Sequence, residues 1–453
     1  MNNIKDRQIV VLGAARSGAA AATLLKKRGA DVWVSDSSPL STSVKELFVE
    51  QGIRFEENGH SERSLQGECL VVSPGVPDRS PVVQSYLSAG KSIYSELEAA
   101  SWFNSSPIVA VTGSNGKTTV TSWLAYTWSV AGREAIIAGN IGNAFSSCVE
   151  GTGPERTAIL EVSSFQLDHI DSFRPAISIL LNITPDHLDR YEGSFKAYKK
   201  SKLRITENQK SSDTFIYNYE DPHLSSHADV VAGRDEPPTI LAFSDRREVP
   251  EGAFVRDNHI IFKLNQTEES LMHINDLALP GRHNLNNGLA TALAARASEI
   301  KSETIRESLK TFEGVEHRLE TVRVYKGVKY VNDSKATNIN AVWYALDSFH
   351  VPIVLILGGR DKGNDYTELE KQLVEKVHTV VAIGEAKPLI KQQIGRLVPN
   401  YLEADTLKEA VQLSAGKAKR GEIVLLSPAC SSFDMFDNYE HRGELFKQAV
   451  LEL

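Results

Sequence analysis

The sequence predicts an α/β protein of three domains, each a mainly parallel sheet covered by helices. Strand-like runs rich in Val and Ile alternate with helix-length amphipathic segments from end to end, as expected of βαβ crossovers. The chain has 453 residues, whereas a single hydrophobic core stops growing near roughly 250 to 300. With 41% hydrophobic and 24% charged residues the composition is that of ordinary globular domains.

Taken in order, a first block over residues 1–97 runs from "RQIVVLGAARSGAAAATLLKKRG" through "ADVWVSD" and "CLVVSPGVP" to the helix-like "YSELEAASWF". A second, over 98–314, opens with "PIVAVTGSNGKTT", continues through "TAILEVSSFQL" and "AISILLNITPDHLDRY", and closes with the helix "HNLNNGLATALAARASEI". A third, over 315–453, carries "VKYVNDSKATN", "PIVLILGGRDKG", "TVVAIGE" and "EIVLLSPACSSFD" as strand-then-loop units. In such sheets ligands gather beyond the carboxyl ends of the strands, so the loops after the strands are where chemistry belongs.

Several classes are excluded. A net charge of −8 with interspersed signs leaves no basic surface for a nucleic acid. Cys69, Cys148 and Cys430 are far apart and form no CxxC pair, which argues against a disulfide framework or zinc site and fits a reducing cytoplasm. Runs such as "AISILLNI" are about half the roughly 20 residues of a membrane helix. The amino terminus enters a strand without a signal-peptide core. The expectation is a cytoplasmic, uninserted monomer working on small molecules.

"TGSNGKTT" falls between the strand "PIVAV" and the helix start "TTVTSWLAYTW". Glycines let the backbone approach an anion, and the amides and dipole of a helix amino end attract phosphate. Gly113, Ser114, Asn115, Gly116, Lys117, Thr118 and Thr119 thus form a candidate ATP loop, Lys117 neutralising the terminal phosphates and Thr118 offering its hydroxyl to Mg2+. The common P-loop has four residues before its Gly-Lys pair, and this chain has two.

That variant, followed by "EVSSFQL", "NITPDHLDRY", "KAYKKSKLRI", "GRHNLNN", "HRLE" and "DSKATN" in this order, resembles the Mur ligases, with folylpolyglutamate synthase as a cousin. The closing "LSPACSSFDMFDNYEHRGELF" is similar to the D-glutamate-adding branch, and the "DNPR" or "DDPR" signature of the diaminopimelate- and lysine-adding branches is absent. The resemblance implies Rossmann-like first and third domains flanking a central P-loop ATPase-type sheet. It also implies an ADP-forming ligase of peptidoglycan precursor synthesis, joining D-glutamate to UDP-N-acetylmuramoyl-L-alanine through an acyl phosphate.

Bringing two anions together calls for cations, and Mg2+ with oxygen ligands is the usual answer. Glu161 at the end of its strand and His187 in the loop after the next occupy strand ends of one sheet and can converge on metal; taken singly, Glu161 also reads as a solvated carboxylate and His187 as a satisfied polar loop histidine. In "GSFKAYKKSKLRI" read as a helix, Phe195, Tyr198, Lys202 and Ile205 share one stripe, so Lys202 sits on the apolar face. It either snorkels to solvent or is desolvated to a neutral amine able to capture CO2. In the ligases it resembles the lysine here is carbamylated, which implies a carbamate on Lys202 and two Mg2+ ions held by Thr118, Glu161, His187 and that carbamate.

The resemblance also implies adenine contact at Asn287, with Asn284 beside it equally a helix cap. It assigns phosphate to Arg318, ribose to Asp333, and D-glutamate to Lys335, Thr337, Lys362, Ser432 and Tyr439, the last standing where the family commonly has Phe. "VVLGAARSG" lacks the middle glycine of a dinucleotide fingerprint. The resemblance implies that this block takes the uridine diphosphate instead, at Ala15, Arg16, Ser17, Asp36, Gly75 and Asn140, Asp36 being equally a strand-end turn carboxylate. Two other classes stay open: a nicotinamide-dependent dehydrogenase using the first block, and an NTPase switch using the glycine loop alone.

Overall fold

The computed structural model describes residues 4–453 and contains three sheets flanked by helices. The first is five parallel strands in the spatial order Arg54–Glu56, Asp31–Ser35, Gln8–Leu12, Cys69–Val72, Ser92–Ser95. This is the doubly wound order of nucleotide-binding sheets. The second has nine strands, with Ile108–Thr112 between Ile177–Leu180 and Arg156–Glu161. The third has six, with Ile353–Gly358 between Ile423–Leu426 and Val377–Ile383.

Central strands such as Ile108–Thr112, Cys69–Val72 and Ile423–Leu426 are buried throughout, as strands covered by helices on both faces must be. The α/β architecture expected from the sequence is what the structure shows, with two additions. Gly252–Arg256, His259–Leu264 and Thr267–His273 continue the second sheet, the last two antiparallel. Their reversals are two-residue turns, Asp257–Asn258 and Asn265–Gln266, all four residues at φ between 50° and 63°, the left-handed geometry that matches strand twist in a hairpin. The third sheet likewise gains an antiparallel edge strand, Glu320–Tyr325.

By its internal contacts the chain forms two compact units, one running to Asp276 and adding Asn286–Thr311, the other made of Leu277–Leu285 and Phe312–Leu453. Within the former, the helix Glu96–Ser101 places Leu97 and Ala100 in the core of the second sheet and Ala99 in that of the first. Its buried Glu98 accepts hydrogen bonds from Trp102 Nε1 at 2.8 Å and from the amides of Asp171, Ser172 and Phe173 at 2.8–3.0 Å. Among the described residues no helix is long and apolar enough to cross a membrane.

Candidate functional site

The glycine turn joins the strand Ile108–Thr112 to the helix Lys117–Val130. Gly116 caps that helix at φ 88°, and a Cβ there would lie 2.5 Å from Asn287 Oδ1. Glycine is required both by the backbone and by the buried Asn287 above it. Asn182 clamps the turn through its whole amide, accepting from Asn115 N at 2.9 Å and donating to Asn115 O at 3.1 Å. Ser114 Oγ donates to Thr184 O at 2.8 Å and lies 2.9 Å from Tyr198 Oη. Lys117 Nζ donates to the carbonyls of Gly113 and Ser114 at 2.8 and 2.9 Å. Thr119 is buried in the helix.

Glu161 ends its strand 2% exposed, accepting from Thr118 Oγ1 at 2.6 Å and from Asn140 Nδ2 at 2.9 Å. The structure thus draws together a threonine, a carboxylate and an amide that sequence reasoning had divided between metal and uridine diphosphate. The stripe foreseen from Phe195 to Ile205 is present: Tyr198 and Lys202 on the helix Phe195–Leu203 and Ile205 on the 3-10 turn Arg204–Thr206 that follows it are buried. Lys202 does not snorkel. Its Nζ donates to Gly113 O at 2.8 Å and lies 4.9 Å from the centre of the Tyr198 ring. Burial, and then the charge of Lys117, hold its pKa well below the usual lysine range against the opposing pull of Asp186, Glu161 and Asp168.

His187 adopts a left-handed φ of 51° in the loop after Ile177–Leu180, its ring edge-on to Phe165 at 5.9 Å. In the same loop Arg190 donates to the carbonyls of Pro74 and Val76 at 2.8 and 2.7 Å, tying down the "SPGVP" loop that holds Gly75. In the first sheet Ala15 caps the helix Arg16–Lys27, which contains Arg16 and Ser17 and has no side-chain cap on its leading amides. Asp36 accepts from Ala14 N at 2.6 Å and Ser38 N at 2.8 Å, which makes it the turn carboxylate that holds this loop in shape.

In the carboxy-terminal unit Asp333 is 2% exposed and accepts from Ser427 Oγ at 2.8 Å. Burial pushes its carboxyl up to about 6, with Arg318 opposing. Lys335 Nζ donates to Tyr439 Oη at 3.0 Å and lies over its ring at 4.8 Å. Ser432 is buried, Thr337 half-buried and Lys362 exposed. The helix Arg282–Ala297 begins before Asn284, so Asn284 is not its cap; Nδ2 instead donates back to Pro280 O at 2.8 Å.

Models of a MurD N-terminal domain, a Mur ligase middle domain and a Mur ligase glutamate ligase domain match residues 8–82, 111–295 and 317–430. The UDP-N-acetylmuramoylalanine–D-glutamate ligase of Salinibacter ruber is 48% identical over 99% of this chain and 98% of its own. The chain belongs to the Mur ligase family. Its fold is shared by a pseudomurein peptide ligase type C from Methanothermus fervidus, with a TM-score of 0.61 at 18% identity covering 99% of this chain and 100% of that one. The UDP-N-acetylmuramate-alanine ligase MurC from Thermotoga maritima gives 0.60 at 17% identity, covering 98% and 99%.

Set within the Mur ligase fold, two side chains that sequence reasoning passed over stand out. One is Asn182. The other is Arg442, fully buried on the helix Tyr439–Leu451, which donates to Ser334 Oγ and O at 3.0 and 2.8 Å and to Cys430 O at 3.1 Å. It fastens the "DSKATN" loop to "SPACSS". Arg442, Phe446 and Ala449 fall at spacings of four and three, the same signal that exposed Lys202.

Proposed function

We propose that the chain joins D-glutamate to UDP-N-acetylmuramoyl-L-alanine with consumption of ATP, in the cytoplasm, as a monomeric step of peptidoglycan precursor synthesis and hence of cell-wall growth, cell shape and division. The observation that carries the chemistry is the buried amine of Lys202, 2.8 Å from the Gly113 carbonyl of an anion-binding turn whose Thr118 is bonded to Glu161. We assign residues 1–97 to the uridine-diphosphate substrate, 98–314 to ATP and 315–453 to the amino acid.

The amides of Gly113–Thr118 and the Lys117 ammonium hold the triphosphate tail, charge stabilisation and positioning being the main levers on phosphoryl transfer. The γ-phosphoryl passes to the carboxylate of the muramoyl-alanine, giving an acyl phosphate and ADP. The uncharged amine of D-glutamate then attacks the acyl carbon, phosphate leaves with the bonding electrons of the broken C–O bond, and the nitrogen gives up one proton to the departing phosphate as the amide forms. Ala15, Arg16, Ser17, Asp36, Gly75 and Asn140 serve the uridine diphosphate. Asn287, Arg318 and Asp333 serve ATP. Lys335, Thr337, Lys362, Ser432 and Tyr439 serve the two carboxylates of D-glutamate.

The donor set fits Mg2+, since Thr118 Oγ1 and Glu161 Oε2 are hard oxygens 2.6 Å apart at the turn. Thr118, Glu161, His187 and Lys202 as its carbamate would hold two such ions, which when bound offset the repulsion between the reacting anions. The carbamate forms when the neutral Nζ attacks CO2 and releases a proton to water, which turns an uncharged side chain into an anionic one.

Phosphate release tests the reading. It is expected only with ATP, UDP-N-acetylmuramoyl-L-alanine and D-glutamate together, and not with L-glutamate or other amino acids. Steady hydrolysis of ATP without either acceptor would instead support an NTPase switch.

A further inference from the structure

The strand Ile353–Gly358 runs into the loop that carries Lys362, and that loop is stapled to the Ser432 loop, which follows Ile423–Leu426. Arg360 N donates to Ser431 O at 3.0 Å, and Ser431 Oγ donates back to Arg360 O at 3.1 Å. Asn364 Nδ2 donates to Ala429 O at 3.2 Å. Ala429 has a left-handed φ of 61°, a strained setting for a residue with a Cβ, which persists only where neighbours hold the backbone in place.

Asp361 closes the turn around Lys362. Its Oδ2 accepts from Gly363 N at 2.7 Å and Asn364 N at 3.4 Å, and its Oδ1 accepts from Tyr366 Oη at 3.0 Å. Tyr366 and Cys430 are both fully buried, with Oη 2.9 Å from Sγ. Burial pushes the thiol up to about 12 and holds the phenol above its usual range, so both keep their protons at neutral pH. A phenol has one proton to give, and a carboxylate can only accept. The Tyr366 proton therefore points at Asp361, and the Cys430 S–H donates to the phenol oxygen.

These donors run from the Ser432 loop to the turn that presents Lys362. Arg442 binds the Lys335 loop to the Ser432 loop through Ser334 and Cys430. The Lys362 loop is the third of the set, and Tyr366 is its buried anchor. An acid gripped at both ends is measured by the spacing of the grips, since a chain one methylene short or long leaves one carboxylate without its partner.

We propose that Asp361 and Tyr366 are positioning residues that set the reach of Lys362 relative to Ser432 and Lys335, and thereby the chain length of the acidic amino acid that the enzyme accepts. They act through Lys362 and not on the substrate. The inference rests on the reading of this unit as the amino-acid site.

Steady-state phosphate release by the full chain with D-aspartate, D-glutamate and D-α-aminoadipate, which differ by one methylene each, tests it. The unaltered chain is expected to favour D-glutamate in kcat/KM by at least about tenfold over either neighbour, one lost charged contact being worth that much or more. Tyr366→Phe keeps the buried ring and removes only the hydroxyl. It should raise KM for D-glutamate about tenfold and narrow both ratios, with kcat at saturation and KM for ATP little changed. Asp361→Asn, which keeps an oxygen able to accept from Tyr366, should fall between Asp361→Ala and the unaltered chain. A merely structural loss of folded protein would lower kcat for all three acids alike and leave each KM in place.

If the unaltered chain releases phosphate with none of the three acids, the amino-acid reading fails and the inference with it. If D-glutamate is preferred and Tyr366→Phe keeps the original ratios, or lowers kcat equally for all three, the reading survives and the positioning role is overturned. Equal use of the three acids by the unaltered chain also overturns it.

Discussion

Lys202 and Arg442 are both cations on the apolar stripe of a helix, and their surroundings give them opposite fates. Arg442 is met by hydroxyl and carbonyl acceptors, and although burial lowers it to about 10 it stays charged at neutral pH. Lys202 meets one carbonyl, a distant hydroxyl at 3.5 Å and the like charge of Lys117, so its neutral form is favoured. Lys202→Arg keeps the cation and cannot form a carbamate; turnover is expected to fall roughly 100-fold or more. Undiminished turnover would remove the carbamate. Asp333 gives a test in pH. Its carboxyl rises from 3.8 to about 6 on folding, so the folded chain binds the proton more tightly and loses stability as pH climbs from about 4 to 6. Compared with Asp333→Asn in urea denaturation, the unaltered chain should lose about 2 kcal/mol of relative stability across that window and none above it. A pH-independent difference would contradict the buried, proton-binding carboxyl.

At the level of elements, the glycine turn keeps its shape by partners brought from neighbouring strands. Asn182→Ala removes both hydrogen bonds to Asn115 and leaves the fold otherwise intact. We expect kcat/KM for ATP to fall about tenfold while the thermal midpoint moves little; the reverse pattern would make Asn182 a structural residue only. Gly18 is a harder constraint, since a Cβ there would lie 1.8 Å from Gly13 O. Gly18→Ala should destabilise the first sheet by roughly 1–3 kcal/mol in chemical denaturation. Much of this was legible in the sequence because it is local: strand-end loops, the Gly-Lys-Thr turn and the stripe holding Lys202 follow from turn chemistry and periodicity. The edge strands over 252–273 were missed because Asp257–Asn258 and Asn265–Gln266 make left-handed turns without glycine. The clamp by Asn182 and the pairing of Lys335 with Tyr439 join residues distant in sequence, which no local pattern records.

Over the whole molecule, three sheets with their own buried clusters carry loops of distinct chemistry at the carboxyl ends of their strands. Glu98 welds the first two sheets into one compact unit, and Arg442 gathers the loops of the other. Loops held this rigidly suit the positioning on which acyl and phosphoryl transfer depend. The central claim is that the turn at Gly113–Lys117 receives the triphosphate. A crystal structure with Mg2+ and a non-hydrolysable ATP analogue tests it most directly. The account predicts the β- and γ-phosphates against the amides of Gly113–Thr118, with Lys117 Nζ moved from the Gly113 and Ser114 carbonyls onto phosphate oxygens. A triphosphate bound elsewhere, with Lys117 still on those carbonyls, would contradict it.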